Sequence, residues 1–547
     1  MDVTEVFNNA EQTPNRALPG NSHQGEKRPA GDEPDVVPRK ISAEEHKRRL
    51  LELVEQAEDV PDSIDETGLK RMILSFEKRV NKNQELRIKY SNQPTKFVDS
   101  EVDLHAAIQE LHVIATQPNL YGILVQFKAH STLLQLLLHS NTDIAVAVVD
   151  LLQELTDIDE DNQEDSGIDS LIDALMDEQL PLTLVQNMDR MDESIKEEAS
   201  AIHNSLGIIE NIIDVQPELT VTIAKQGILA WILKRLKLKA FEANKLYCSE
   251  ILSILLQNQT EVQKMLGEAD GIDILLQQLA TYKRNEPSSN EEIEYMENIF
   301  NCVCSILSLN ENRVRFVKGE GIQLMILMLK EKHASRNCAI KVLNHACSGD
   351  DGGPCCSKLI ESLGLRAIFP LFMRTPKRHK KAGPNQEELE EHIISIVTSL
   401  VRHSEGAQRQ RLMTKFSENN HEKIERLLEL HFKYLERVEV VNKKVEKERE
   451  QLLKYGEVDE ENEEEFYMQR LEAGLFCLQM VDYTLVEVSQ AGQDVKNRIF
   501  EILRMRGASS KVIKTVVREY ADNIGDAMDE DDRRHEQERI LQLVDEF

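Results

Sequence analysis

The stretch NTDIAVAVVDLLQEL, Asn141 to Leu155, decides the fold. From Ile144 to Leu152 only Asp150 interrupts an apolar run. A bilayer-crossing helix takes about 20 apolar residues, so this run is too short to span a membrane. It is also too apolar for a helix lying on the outside of a globule, which shows a single apolar stripe. The pattern predicts a helix packed on most of its circumference. Asp143, Ala147, Asp150, Glu154 and Asp157 follow one another at steps of four, three, four and three. Such steps place them in one stripe, and Ile144, Val148, Leu151, Leu152 and Leu155 form the core side.

The same phrase recurs along the chain: a small residue or Gly, a Leu/Ile-rich helix of about ten residues, a break, then a longer apolar helix. It is found at AHSTLLQLLLHSNTDIAVAVVDLLQEL, QGILAWILKRLKLKAFEANKLYCSEILSILLQ and EGIQLMILMLKEKHASRNCAIKVLNHAC, among others. Gly227, Gly271, Gly321 and Gly364 are separated by 44, 50 and 43 positions. Armadillo and HEAT units repeat every 40 to 47 residues or so, whereas tetratricopeptide and ankyrin units repeat near 33 to 34. The expectation is an all-α, armadillo-type, right-handed superhelical solenoid with helical N- and C-terminal caps. In such a stack the last helix of each unit is sandwiched by its neighbours, which accounts for the opening run. Its acidic stripe is expected to line the concave face. The equivalent positions downstream are Asn204, Gly207 and Asn211, then Glu250, Asn301 and Asn344. A binding strip for extended basic peptides is the functional reading; an ordinary solvated face is the competing one.

The organisation expected is a polar tail over 1–60, an N-terminal helical cap over 61–128, armadillo-like repeats over 129–405 and a helical region over 406–547 that closes the solenoid. The tail scatters Pro and Gly through polar residues and is expected to be disordered. A possible capping box, Ser42 with Glu45, starts the first weak helix. Beyond about Glu405, NNHEKIERLLELHFKYLERVEVVNKKVEKEREQLLKY reads as a long charged helix and GEVDEENEEE as an acidic break. Three amphipathic helices follow, with Gly507 and Gly525 at C′ positions.

Composition sets the partners. The chain of 547 residues carries 66 basic and 97 acidic side chains, a formal charge of −31. That field disfavours direct contact with nucleic acid or with an anionic membrane and favours basic partners. The N-terminus has no secretory signal pattern, and no window holds the 18 or so apolar residues of a transmembrane helix. Eight cysteines without regular spacing suit a reducing compartment.

Lys27-Arg28 and Arg39-Lys40 are separated by ten residues. A flexible basic strand of that kind is read as a bipartite nuclear localisation signal that lies in an importin-alpha groove. KRHKK, 377–381, reads as a solvated loop between repeat helices. Cys338, His345, Cys347, Cys355 and Cys356 include zinc-ligand types, but no C-x₂-C pair is present and core thiols are the better reading. Phosphate-loop, nucleophile-elbow and zinc-protease patterns are absent, so neither an enzyme nor a cofactor is expected.

Importin-alpha proteins share this architecture, with Trp and Asn repeated at four-residue spacing along their grooves. Here the only Trp is Trp231, and four residues on stands Arg235. A transport adaptor or cargo chaperone of that kind is therefore the alternative. Beta-catenin grooves are basic, unlike this acidic chain. The phrases KRMILSFEKRVNKNQELRIKY, AVVDLLQELTDID, ANKLYCSEIL, LGEADGIDILLQQL, FVKGEGIQLM, LHFKYL and REYADNIGD resemble the beta-catenin-like protein 1 family, from about Asp65 to the C-terminus. The resemblance implies a nuclear protein of the spliceosome, associated with the nineteen complex through the cell-division-cycle-5-like protein. It also implies recognition of localisation-signal-type basic segments in splicing factors, and in activation-induced deaminase where that enzyme exists. Self-association as a homodimer is a further implication.

Overall fold

The computed structural model describes residues 65–157, 167–378, 383–455, 460–524 and 530–547. The basic tail pairs, the Ser42–Glu45 box, residues 379–382 of the KRHKK loop and Gly525 lie outside the described residues. Among the described residues all regular structure is helical, and no helix is long and apolar enough to cross a membrane. The chain divides into two compact units, Met1–Trp231 and Ile232–Phe547.

In the first unit, α1 (Glu66–Lys89) and α2 (Val98–Leu111) form a hairpin. The Asp65 side chain caps α1 by accepting from the Gly68 amide at 2.7 Å. Three-helix repeats follow: α3 (Tyr121–Gln126), α4 (Ala129–Leu137) and α5 (Thr142–Thr156), then α6 (Ile168–Asp177), α7 (Leu180–Met188) and α8 (Lys196–Val215). The third helices pack side by side, α2 on α5 and α5 on α8. This row is the ladder of the unit. After α9 (Thr220–Ile223) and a π turn, the division between units falls within α10 (Leu229–Leu236).

In the second unit, α11 (Ala243–Leu256) starts another ladder. Three repeats continue it: α12 (Thr260–Glu268), α13 (Gly271–Ala280) and α14 (Asn290–Ile306); α15 (Asn310–Lys318), α16 (Gly321–Lys330) and α17 (Ser335–Cys347); α18 (Gly353–Glu361), α19 (Leu365–Met373) and α20 (Gln386–His403). Then come α21 (Gly406–Ser417), the 34-residue α22 (Glu422–Tyr455), α23 (Glu460–Glu472), α24 (Leu475–Ser489), α25 (Gln493–Met505), α26 (Ser510–Asp522) and α27 (Glu530–Glu546). The ladder runs α11, α14, α17, α20, α24.

Two local features make each repeat. The corner leading into the second helix is left-handed: φ is 55° at Lys128, 60° at Gln179, 55° at Asp270 and 61° at Glu320, each just before its helix, and 63° at Leu363, one residue further back. The residue after it must be small in the second unit. A Cβ on Gly271, Gly321 or Gly364 would stand 2.5, 2.3 and 2.5 Å from side-chain atoms of Leu266, Phe316 and Leu359. At Gly271, Gly321 and Gly364 the period is therefore a packing requirement between first and second helices, whereas Gly227 meets only Val185 at ordinary contact and instead takes a left-handed φ of 110°.

The structure differs from the sequence reading in three places. Each repeat has a short first helix that the two-helix phrase omits. The acidic run after Tyr455 is largely helical, in α23. Gly474, at φ 102°, splits the first of the three expected amphipathic helices, read from the stretch FYMQRLEAGLFCLQMVDYTLVEVSQ. Its second half, α24, is buried on nearly every side by α20, α22, α25 and α26 rather than amphipathic. Several polar groups of α24 are satisfied internally, although Gln479 Nε2 and Asp482 Oδ2 are buried without a hydrogen-bond partner. Asp482 meets His431 Nδ1 at 2.5 Å. Glu487 accepts from Arg409, Arg539 and the Tyr483 hydroxyl, each at 2.7 Å.

Candidate functional site

In α5 the Asn141 side chain caps the helix by accepting from the Asp143 amide at 3.0 Å. Asp143 then sits in the first turn, where the helix dipole favours an acid. Ile144, Ala145, Ala147, Val148, Val149, Leu151, Leu152 and Leu155 are buried. Asp143, Glu154 and Asp157 are exposed and Asp150 is half-exposed. The predicted stripe is thus the open edge of α5, interrupted where Ala147 packs inward.

The neighbouring ladder helix α8 answers this edge with asparagines. Asn204 Nδ2, on α8, donates to Asp150 Oδ1 at 2.9 Å. Asn211 Nδ2 donates to Thr156 Oγ1 at 3.2 Å, and Gly207 between the two asparagines is buried. His112 Nδ1 lies 2.6 Å from Glu154 Oε2, and Gln153 donates to Asp157 at 3.3 Å. Among the described residues, none of the four carboxylates of α5 pairs with Lys or Arg. The face keeps its negative charge.

The second unit uses the same construction with different charges. Asn298 Nδ2 of α14 donates to Ser249 Oγ of α11 at 3.2 Å, and Glu250 lies half-exposed on α11. Lys341 Nζ of α17 donates to Asn301 Oδ1 of α14 at 3.0 Å. Asn344 Nδ2 of α17 lies 3.1 Å from His392 Nδ1 of α20, so this imidazole nitrogen accepts and the ring is neutral. Its pKa falls to about 4, through burial first and then the charges of His345 and Lys341. His345 is shifted the same way, through burial first and then the charges of Lys341 and Arg313. Asn301 and Asn344 therefore border a lysine and two histidines rather than extending the acidic edge. Sequence reading passed over Lys341, His112 and His392, and took up His345 only as a zinc-ligand type. Lys341 was within its reach, since it stands three residues before Asn344 on the same helix face.

A cavity of about 450 Å³ opens beside Lys341 and His392, with Glu297, Arg378 and Glu388 in its lining. Described residues on either side of 379–382 are held nearby: the Gly383 amide donates to Glu297, and Asn337 Nδ2 donates to the Lys377 carbonyl at 3.3 Å. Cys338, Cys347, Cys355 and Cys356 are buried thiols of the packed interior.

Three-helix repeats with left-handed corners, stacked so that their third helices form a ladder, define an armadillo-type α-solenoid with terminal helices added. The chain belongs to the catenin-beta-like, Arm-motif-containing nuclear family, whose model matches residues 48–518. It is 52% identical over 487 residues to human beta-catenin-like protein 1, covering 88% of this chain and 86% of that protein. It is 34% identical over 430 residues to the Schizosaccharomyces pombe homolog, covering 78% and 73%. Among solved structures, a designed armadillo repeat protein in complex with the peptide (KR)4 aligns with TM-score 0.37 and 17% identity, over 49% of this chain and 98% of its own.

Proposed function

We propose that this chain is a noncatalytic nuclear scaffold of the spliceosome-associated nineteen complex. It holds basic, localisation-signal-type segments of splicing factors during pre-mRNA splicing. The observation that carries the reading is the open edge of α5, where Asp143, Asp150, Glu154 and Asp157 have no Lys or Arg partner among the described residues. Carboxylates left uncancelled beside oriented Asn amides suit an extended chain that brings its own cations and backbone acceptors. The nuclear, Arm-motif character of the family supports the compartment and the binding role. The partners in this reading are the cell-division-cycle-5-like protein, activation-induced deaminase where present, and importin-alpha through Lys27, Arg28, Arg39 and Lys40. Self-association as a homodimer is part of the same reading.

The test is a titration of the full chain with a labelled basic peptide from a splicing factor, against the Asp150→Asn, Glu154→Gln double variant. These changes keep side-chain shape and remove two charges. At about 0.5–1 kcal/mol per half-exposed pair, affinity should fall roughly 5- to 30-fold, with a shallower salt dependence. Unchanged affinity in a folded double variant refutes the assignment of the peptide to this edge.

A further inference from the structure

In a chain of formal charge −31, residues 502–518 hold five cations and no acid. They form the corner between α25 and α26. Arg518 pairs with Asp545 at 3.0 Å. Arg504, Arg506, Lys511 and Lys514 form no ion pair among the described residues, and Arg506 lies over the Phe432 ring at 5.6 Å. The acids closest along the two helices are taken: Glu501 by Arg498 and Glu519 by Arg470. On α22, which carries Phe432, Glu425 pairs with Arg498 and Glu429 with Arg426; Glu436 and Glu439 form no ion pair with any of the four. The corner is firmly built. Gly507, at φ 67°, donates its amide to the Arg504 carbonyl at 3.1 Å, and the Ala508 amide donates to the Leu503 carbonyl at 2.9 Å. Ser509 then caps α26 by accepting from the Lys511 amide at 3.2 Å. Two features set this corner apart from an ordinary solvated turn. Lys511 stands in the first turn of α26, where the helix dipole favours an acid, yet that turn has none. Met505, between the two arginines, is 66% exposed. Like charges gathered at the unfavourable end of a helix break a local rule, as surfaces kept for function do.

We infer that Arg504, Met505, Arg506, Lys511 and Lys514 form a docking surface for an Asp/Glu-rich segment of another protein that carries an apolar residue among its acids. Carboxylates placed there gain cations that no acid of this chain claims. The flexible thioether of Met505 packs against the apolar residue between them. A protein segment fits better than a nucleic acid. A long phosphate backbone meets the repulsion of the whole acidic chain, whereas a short segment meets mainly the charges within a Debye length of about 8 Å. A phosphate backbone would also leave Met505 without a contact. This surface calls for a partner opposite in charge to the one proposed for α5 and does not rest on that reading.

The experiment is fluorescence anisotropy of a labelled glutamate-rich peptide with one leucine, titrated with the full chain. The comparisons are the same peptide with glutamine for glutamate, and labelled oligodeoxythymidylate of equal charge. The glutamate peptide should bind, more weakly as salt rises, and neither comparison should match it. The Arg504→Gln, Lys511→Gln double variant should weaken binding roughly tenfold, the scale of two exposed charge pairs. Its melting midpoint should hold, because neither side chain forms an ion pair among the described residues and the cation lost from the first turn of α26 was unfavourable there. Met505→Ser should weaken binding severalfold with every charge in place. Equal binding of the glutamine peptide, or wild-type affinity in either folded variant, overturns the inference. Oligonucleotide binding as tight as that of the glutamate peptide also overturns it, by making the corner a phosphate-binding surface.

Discussion

Gly321→Ala is the sharpest probe of what spaces the repeats. The added Cβ would lie 2.3, 2.4 and 2.6 Å from three ring carbons of Phe316. Carbon atoms pack at about 3.5–4.0 Å, so one side of the contact must retreat by more than ~1 Å. Phe316 is fully buried in α15, which packs against α12, α16 and α18, so the ring has little room. Overpacking of this kind costs about 1–3 kcal/mol, and the better helix propensity of Ala returns at most about 1 kcal/mol of it. The control is Gly353→Ala at the start of α18, where a Cβ meets nothing within 4 Å. Denaturant unfolding of the full chains, followed by circular dichroism, should show a lower midpoint for Gly321→Ala and an unchanged or slightly raised one for Gly353→Ala. Phe316→Leu should cost stability alone yet recover part of the Gly321→Ala loss in the double variant, because the two sites are in contact. Equal midpoints for the two alanine variants would refute the argument that the glycine period records close approach of helices.

Glu487→Gln should loosen α27 by about 1–3 kcal/mol, because it weakens a fully buried acceptor of Arg409 and Arg539 whose own side chains are partly exposed. Faster amide exchange over 530–546 would show it, and unchanged exchange would count against the contact. Burial raises the Glu487 pKa, but donation from Arg539, Tyr483 and Arg409 outweighs it and leaves the group below the ordinary 4.5. Its contribution is therefore present above pH 4.5 and lost as pH falls through its lowered value, so the wild-type exchange pattern should approach that of the variant only in acid. All eight cysteines are buried, and burial pushes the Cys304 and Cys338 thiols up to about 12. Iodoacetamide at pH ~8 should leave them unlabelled in the native protein and react with all of them in guanidinium; rapid native labelling of Cys338, read by mass spectrometry, would contradict its placement.

The helical class, the repeat period and the boundaries of α5 were readable because the third helices are long and strongly apolar. Asn141 caps where the pattern starts and Asp157 ends it. The first helices were not, because they bury too little. In α15 only Asn312 and Phe316 are buried, and in α12 only Val262, Gln263, Leu266 and Gly267. Asn312 is fully buried with its amide on the Gln263 carbonyl at 2.9 Å; in a sequence it reads as a surface residue, and only the neighbouring repeat makes it an interior one. The same distance along the chain limits what could be said of the site. Projection on a helix places a residue on the ladder face, but each partner comes from the next repeat: Asn204 lies 54 residues beyond Asp150, Lys341 lies 40 beyond Asn301, and His392 lies 48 beyond Asn344. Whether a position meets a neutral amide or a cation is decided by those partners. One stripe rule applied to every repeat therefore treats Asp150 and Asn301 alike as ladder-helix positions, and it cannot see that an asparagine of α8 answers the first and a lysine of α17 the second.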